Sequence, residues 1–310
     1  LSTTDSHVRC LVRGGVDRLR QAARRYGLPE PESGRITVID ADLSRSVLGL
    51  DAHAMSLVSD SRAIVNCAAL VSFARGYRGL RKVNVEAVRT LLGLACVGGS
   101  AFHQISTVSV GSGAELREEF LAEHPGLTDG YQRTKWVAEE LLRQAGAAGL
   151  PVSCYRLGRV VPPANATAHN REDFIAHLVR AGMSLGSLPD LDVTEPWIAA
   201  DIAASCVAQA VDDQKAGVWN LPGDTVRLPR VWDELRREHP GLDVLPTPQW
   251  RELLNGRADT AILKSFFEIH RQGPPREHRI HDDRFRDWLA TSGSPRSRVA
   301  PSDWMRLIGS

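Results

Sequence analysis

The stretch GYQRTKWVAEELL, Gly130 to Leu142, puts Tyr131 and Lys135 four residues apart. On a helix that is about one turn, so the two side chains share a face. A free phenol has a pKa near ~10 and is a poor acid or base at neutral pH. A lysine ammonium one turn away favours the phenolate, so the spacing predicts a lowered pKa for Tyr131. Such a tyrosine can give a proton to a developing alkoxide or take one from an alcohol. A third group must hold the substrate oxygen, and QISTVSV supplies Ser106 and Thr107 where an apolar strand ends. Tyr-x-x-x-Lys by itself is common helix decoration. The hydroxyl-bearing strand end, 24 residues before Tyr131, makes the three a candidate proton-transfer site.

The elements that must carry these residues alternate along the chain. HVRCLVR, GRITVIDADLS, RAIVNCAAL, AFHQISTVSV and LPVSCYRLGRVV read as strands. Between them GVDRLRQAARRYG, LRKVNVEAVRTLLGLAC and the Tyr131 segment read as helices, the last with Trp136, Val137, Leu141 and Leu142 as its buried stripe. Continuously apolar strands separated by helices predict an α/β fold, a doubly wound parallel sheet covered on both faces. Ligands in such sheets sit beyond the carboxyl ends of the strands. After Tyr155 the pattern changes. NREDFIAHLVRAGMSLGSLPDLD reads as a helix running into a proline loop, EPWIAADIAASCVAQAV as a second long helix, and GVWNLPGD as a lone strand. The expected division is a Rossmann-like domain over 1–164 and a smaller, mostly helical substrate domain over 165–310, with some segments returning to the sheet.

Composition narrows the classes. The chain has 310 residues, 43% hydrophobic and 24% charged, with a net charge of +1. That balance gives no nucleic-acid or membrane surface, and no run reaches the roughly 18 apolar residues of a span. Five scattered cysteines read as buried, reduced thiols of a cytoplasmic protein rather than a disulfide framework or a metal site. A dinucleotide-binding sheet opens with a strand, a glycine-rich turn and a helix. LSTTDSHVRCLVRG reads as the end of a first helix followed by the second strand, so that first strand and turn are expected to lie outside the chain.

These motifs together resemble the extended short-chain dehydrogenases/reductases. More narrowly, the chain is similar to the terminal thioester reductase domains of non-ribosomal peptide synthetases, polyketide synthases and carboxylic acid reductases. The resemblance implies Thr107, Tyr131 and Lys135 as the catalytic triad, with Lys135 also holding the nicotinamide ribose. CLVRG matches the family's second strand, with Arg13 as its cofactor-phosphate arginine and Arg18 one turn further as a helper. DADLS places Asp42 and Leu43 beside the adenine, NCAAL puts small Cys67, Ala68 and Ala69 against the dinucleotide, and Asn84 lies in the helix that follows. YRLGRVV stands where the family closes on the nicotinamide, giving Arg156, Leu157 and Gly158, with Leu157 in place of the usual proline. LGSLPDLDVTEPWIAADIA and RIHDDRFRDWLATSG resemble the reductase substrate region and separate the chain from sugar epimerases.

An arginine after the second strand with no acid beside it accommodates a 2′-phosphate, so NADPH is the expected cofactor. The partner implied is an acyl or peptidyl carrier protein with a phosphopantetheine-tethered thioester, the domain itself acting as a monomer. The expected reaction is reductive release to an aldehyde, or on to an alcohol. The alternatives are a redox-independent cyclase-type release domain, another extended short-chain reductase or epimerase, and a non-catalytic interaction domain.

Overall fold

The computed structural model describes residues 5–30, 34–72, 74–111, 115–163, 166, 168–255, 257, 260–269 and 279–292. In chain order the first half runs β1 (Val8–Val12), α1 (Gly15–Arg25), β2 (Ile36–Asp40), α2 (Ala52–Ser59), β3 (Ala63–Asn66), α3 (Tyr77–Arg81), a π-helical turn (Lys82–Glu86), α4 (Ala87–Gly98), β4 (Ala101–Thr107), α5 (Gly130–Ala147) and β5 (Val152–Leu157). The second half runs β6 (Arg159–Val161), α6 (Phe174–Leu185), β7 (Ser187–Asp190), β8 (Thr194–Ala199), α7 (Ala200–Asp212), β9 (Gly217–Leu221), β10 (Asp224–Arg227), α8 (Leu228–Glu238), β11 (Asp243–Pro246), α9 (Thr247–Leu253), α10 (Ala261–Ile269) and α11 (Asp283–Thr291).

The main sheet has the order β3-β4-β5-β9, and every pairing in it is parallel. All six residues of β5 are buried. Val152 and Cys154 pack into the core shared with α2, α4 and α5, while Tyr155 and Leu157 pack with α7 and α11 on the other face. Helices on both faces explain why the strand shows no polar alternation. β1 and β2 form a separate parallel pair. Among the described residues β1 pairs only with β2 and β3 only with β4.

The second half carries more strand than its sequence suggests. β9 joins the main sheet beside β5 instead of standing alone. EPWIA is a strand, not the first turns of a helix: β8 lies between β10 and β6. Its proline is tolerated because the β6 ladder starts one residue later, at Trp197, so Pro196 has no donor to give on that side. SLPD is β7, paired only with β11, an edge that also tolerates its proline. LPVSCYRLGRVV divides at Gly158 into β5 of the main sheet and β6 of the three-stranded sheet. A separate core of α6, α8, α9 and α10 side chains, centred on Trp197, Trp232 and Trp250, fills this half.

Two cysteines depart from expectation. Cys154 and Cys206 are buried, but Cys67 and Cys96 are exposed, and all five are free thiols. No helix among the described residues is long and apolar enough to cross a membrane. No His, Cys, Asp or Glu cluster among them could hold a metal ion.

Candidate active site

α5 starts where it does because Asp129 and Gln132 form a capping box. Gln132 N donates to Asp129 Oδ1 at 2.8 Å, and the Gln132 side chain accepts from Asp129 N at 3.3 Å. Gly130, next to Tyr131, is required by a close approach: a Cβ there would sit 2.5 Å from Gly76 C and 2.6 Å from Arg75 O. α5 is thus held against the turn before α3.

Lys135 is buried, and its Nζ donates to Ile105 O at 2.5 Å. Ile105 is two residues before Thr107, so this bond ties α5 to the carboxyl end of β4. Thr107 Oγ1 donates to Ser109 Oγ at 3.1 Å and accepts from Ser109 N at 3.2 Å, which fixes the hydroxyl at the strand tip. Ser106, the other strand-end hydroxyl, points into the protein and donates to Glu139 Oε1 at 2.5 Å. The choice between the two hydroxyls is therefore Thr107.

The charge relation within the pair differs from the sequence expectation. Tyr131 is half-buried, and desolvation, with Asp129 adding to it, pushes its phenol up to about 12 instead of down. Burial lowers the pKa of Lys135. Spacing alone cannot show that desolvation of the phenol outweighs an ammonium one turn away. A phenol with this pKa is protonated at neutral pH and is equipped to donate.

Asn84 sits in the π-helical turn, a feature common at functional sites. Its Oδ1 accepts from Leu70 N at 2.8 Å, and its Nδ2 donates to Leu70 O at 3.0 Å and to Thr134 Oγ1 at 3.1 Å. Thr134 in turn donates to Tyr131 O at 2.9 Å. Asn84 therefore clamps the turn after β3 to the helix of Tyr131. Cys67, Ala68 and Ala69 lie exposed on that turn, with Cys67 in electrostatic reach of Lys135.

Arg156 does not face a cofactor. It is fully buried, and its Nε and Nη2 grip Glu139 at 2.7–3.1 Å. Its Nη1 and Nη2 also donate to Arg117 O and Glu119 O at 2.9 Å each. The side chain holds α5, β5 and the β4–α5 connection together. Gly158 is explained by packing, since a Cβ would meet Pro222 O at 2.2 Å and Pro196 O at 2.6 Å. Leu157 is buried in the core shared with α7 and α11. Sequence reading missed Glu139, and with it Asn66 and Gln104, which bond to each other at 3.0 Å inside β3 and β4. For Asn66 and Gln104 the available signal was a polar side chain inside an otherwise apolar strand.

Arg13 and Arg18 are exposed, and among the described residues neither makes a hydrogen bond or ion pair, although Arg13 lies within electrostatic range of Asp42. Acids do stand nearby, contrary to expectation. The β1–β2 register sets Val12 opposite Asp40, and Asp40 Oδ1 accepts from Gly14 N at 2.9 Å. Asp42 forms a local turn with Ser44 at 2.7–2.8 Å, and those bonds, then Arg13 and Arg45, lower its pKa. Leu43 packs against the core. A cavity of about 660 Å³ lined by Tyr77, His124, Leu127, Arg133, Trp136 and Val137 lies elsewhere. Its three α5 residues are on the face opposite Tyr131 and Lys135.

A parallel sheet wound on both faces, with Tyr-x-x-x-Lys on the helix after a threonine-tipped strand, defines an extended short-chain dehydrogenase/reductase. The chain belongs to the NAD-binding family described as Male sterility protein, which matches residues 1–211. It is 39% identical over 288 residues to an isonitrile lipopeptide synthase of Streptomyces coeruleorubidus, covering 86% of this chain and 20% of that one. It is 33% identical over 230 residues to glycine betaine reductase ATRR of Emericella nidulans, covering 68% and 18%. The chain thus spans about a fifth of the length of these curated relatives. The crystal structure of the terminal R domain from the myxalamid PKS-NRPS pathway superposes with a TM-score of 0.87 at 28% identity, covering 99% of this chain and 83% of that one. An archaeal thiolation-reductase di-domain shares the fold, with a TM-score of 0.79 at 19% identity, covering 99% and 70%.

Proposed function

We propose that this chain is an NADPH-dependent thioester reductase that releases an acyl or peptidyl chain from a carrier protein as an aldehyde. The observation that supports the reading is the bond from Lys135, one turn after Tyr131, to Ile105 O two residues before Thr107, in a chain resembling a terminal R domain over nearly its whole length. When bound, the nicotinamide supplies the hydride that reduces the thioester carbonyl. Thr107 and Tyr131 meet the carbonyl oxygen as charge builds on it, and Tyr131 gives that oxygen its proton. Donors fixed in advance stabilise such charge by several kcal/mol. Lys135, held by Ile105 O, keeps a positive charge beneath the site and orients the cofactor's ribose. The resulting hemithioacetal breaks its C–S bond to give an aldehyde and the pantetheine thiol.

NADPH is preferred in this reading because Arg13 and Arg18 are unpaired, while Asp40 and Asp42 are engaged with backbone amides and Ser44. The carrier partner is supported by the thiolation-reductase neighbour and the long synthase relatives. Residues 1–164 hold the cofactor, and the region from α6 onward receives the tethered substrate. Tyr131→Phe keeps the ring and removes the hydroxyl, so fold and cofactor binding survive. NADPH oxidation driven by a carrier-bound thioester should fall about 10²–10⁴-fold, the range for general acid catalysis. Wild-type turnover in Tyr131→Phe, or product release without NADPH consumption, would remove this assignment.

A further inference from the structure

Beside the start of α6, three nitrogen atoms are buried and without a partner: Nε2 of His169, Nε2 of His177 and Nη1 of Arg180. His177 Nδ1 lies 3.2 Å from Arg180 Nη2. A guanidinium only donates, so Nδ1 is the acceptor and the neutral ring carries its proton on Nε2. His177 Nε2 is therefore a buried N–H donor without a hydrogen bond, with the Glu172 carboxylate at ion-pair range, 3.7 Å away. Arg180 Nη2 also donates to Arg171 O at 2.6 Å, which leaves the hydrogens of Nη1 unused. His169 and His177 both lie within electrostatic range of Arg180, whose charge helps lower the pKa of each after burial has done so.

The acids nearby do not close this arrangement. Asp173 is fully engaged: Oδ1 accepts from Ile175 N and Ala176 N, and Oδ2 accepts from Arg159 Nη1 at 2.7 Å. Glu172 stands 3.7 Å from His177 Nε2, beyond hydrogen-bond length, with 78% of its side chain exposed. A carboxylate is thus available and does not take the position. Native folds seldom leave several buried donors unsatisfied without a reason. A group with several oxygen acceptors and negative charge suits donors of this kind, and arginine is well suited to phosphoryl oxygens. Asn170, Arg171 and Glu172, which precede α6, are exposed, so such a group can enter by displacing Glu172.

We propose that His169, His177 and Arg180 form a phosphate seat in the substrate half of the molecule. The seat follows from the orphaned donors. Its natural occupant rests on the reductase reading: the phosphodiester that joins a pantetheine arm to its carrier. Asp173 connects the two, since it joins the seat region to Arg159, the residue after Gly158.

The test is a binding titration of the whole chain with phosphopantetheine, pantetheine and inorganic phosphate, read by the side-chain nitrogen resonances of His169 and His177. Phosphopantetheine should bind at least ten times more tightly than pantetheine. That advantage should vanish in Arg180→Gln and grow in Glu172→Ala, which removes the competing carboxylate while keeping every donor. Inorganic phosphate binding that Arg180→Gln abolishes, with no preference for phosphopantetheine, supports the seat and assigns it to a free phosphate. Equal affinities for the two pantetheines, with neither histidine moved by inorganic phosphate, would overturn the seat. Turnover is not part of the readout. A thioester that binds through its phosphate but is never reduced would remove the reductase reading and leave the seat standing.

Discussion

The β4–β5–α5 block and the β1–α1–β2 lobe are both built from parallel strands and a helix, yet they treat polar groups in opposite ways. In the first, Ser106, Glu139, Lys135 and Arg156 are buried and bonded to one another or to backbone carbonyls. In the second, every residue of β1 keeps some exposure, only Ala23 of α1 is buried, and Arg13 and Arg18 are free. The contrast matches what the proposed function asks of each region. Proton transfer requires atoms held at fixed positions, and a satisfied buried network provides that. Receiving a charged cofactor requires cations without a standing partner, because breaking an existing ion pair would subtract from binding.

The sharpest way to break this contrast is Glu139→Ala. It leaves Arg156 buried without its counter-charge, and losing one partner of such a pair costs about 3–5 kcal/mol. Urea unfolding measures it. Replacing both residues with methionine should cost less than either single change, because no buried charge is then orphaned. A loss under about 1 kcal/mol for Glu139→Ala, the scale of a surface pair, would mean the block is not held as described.

Next in size is a pH effect in the same sheet. His103 is buried, bonded through Nδ1 to Tyr155 OH at 2.9 Å, and burial, with Arg62 adding to it, lowers its pKa from 6.5 to about 4. The unfolded chain takes up a proton near pH 6.5 and the folded one does not. Stability contributed by His103 is therefore present above pH 6.5 and lost as pH falls towards 4. The loss is roughly 3 kcal/mol over that window. Unfolding midpoints at several pH values should show this slope, and His103→Phe should flatten it.

The smallest effect belongs to the exposed lobe. Arg13→Ala should leave unfolding nearly unchanged and weaken NADPH binding by about 1.5–3 kcal/mol, the worth of a charge-assisted bond. NADH affinity should barely move. Calorimetric titration of both nucleotides decides the matter, and equal NADPH and NADH affinities in the wild type would remove Arg13 from the phosphate end.

How far the sequence could be read follows from the same contrast. β4, α5 and the Tyr131–Lys135 register were legible because apolar runs and a four-residue spacing are local signals. The Glu139–Arg156 pair was not, since it joins positions 17 apart through strand order and burial. Arg156 therefore read as a cofactor contact. The acids near Arg13 were hidden for a similar reason: only the parallel register brings the end of β2 alongside the end of β1. EPWIA and SLPD looked unlike strands because each contains proline, and edge positions or staggered ladders are visible only after pairing is known. The direction of the Tyr131 shift depended on desolvation, which spacing does not encode.

Gly158 has a mechanical consequence. Its α-carbon is wedged between the carbonyls of Pro196 and Pro222, and its N–H is fastened to Leu221 O at 2.9 Å. The crossing from main sheet to three-stranded sheet is therefore a weld rather than a hinge, and β6 and β8 travel with β9 as one plate.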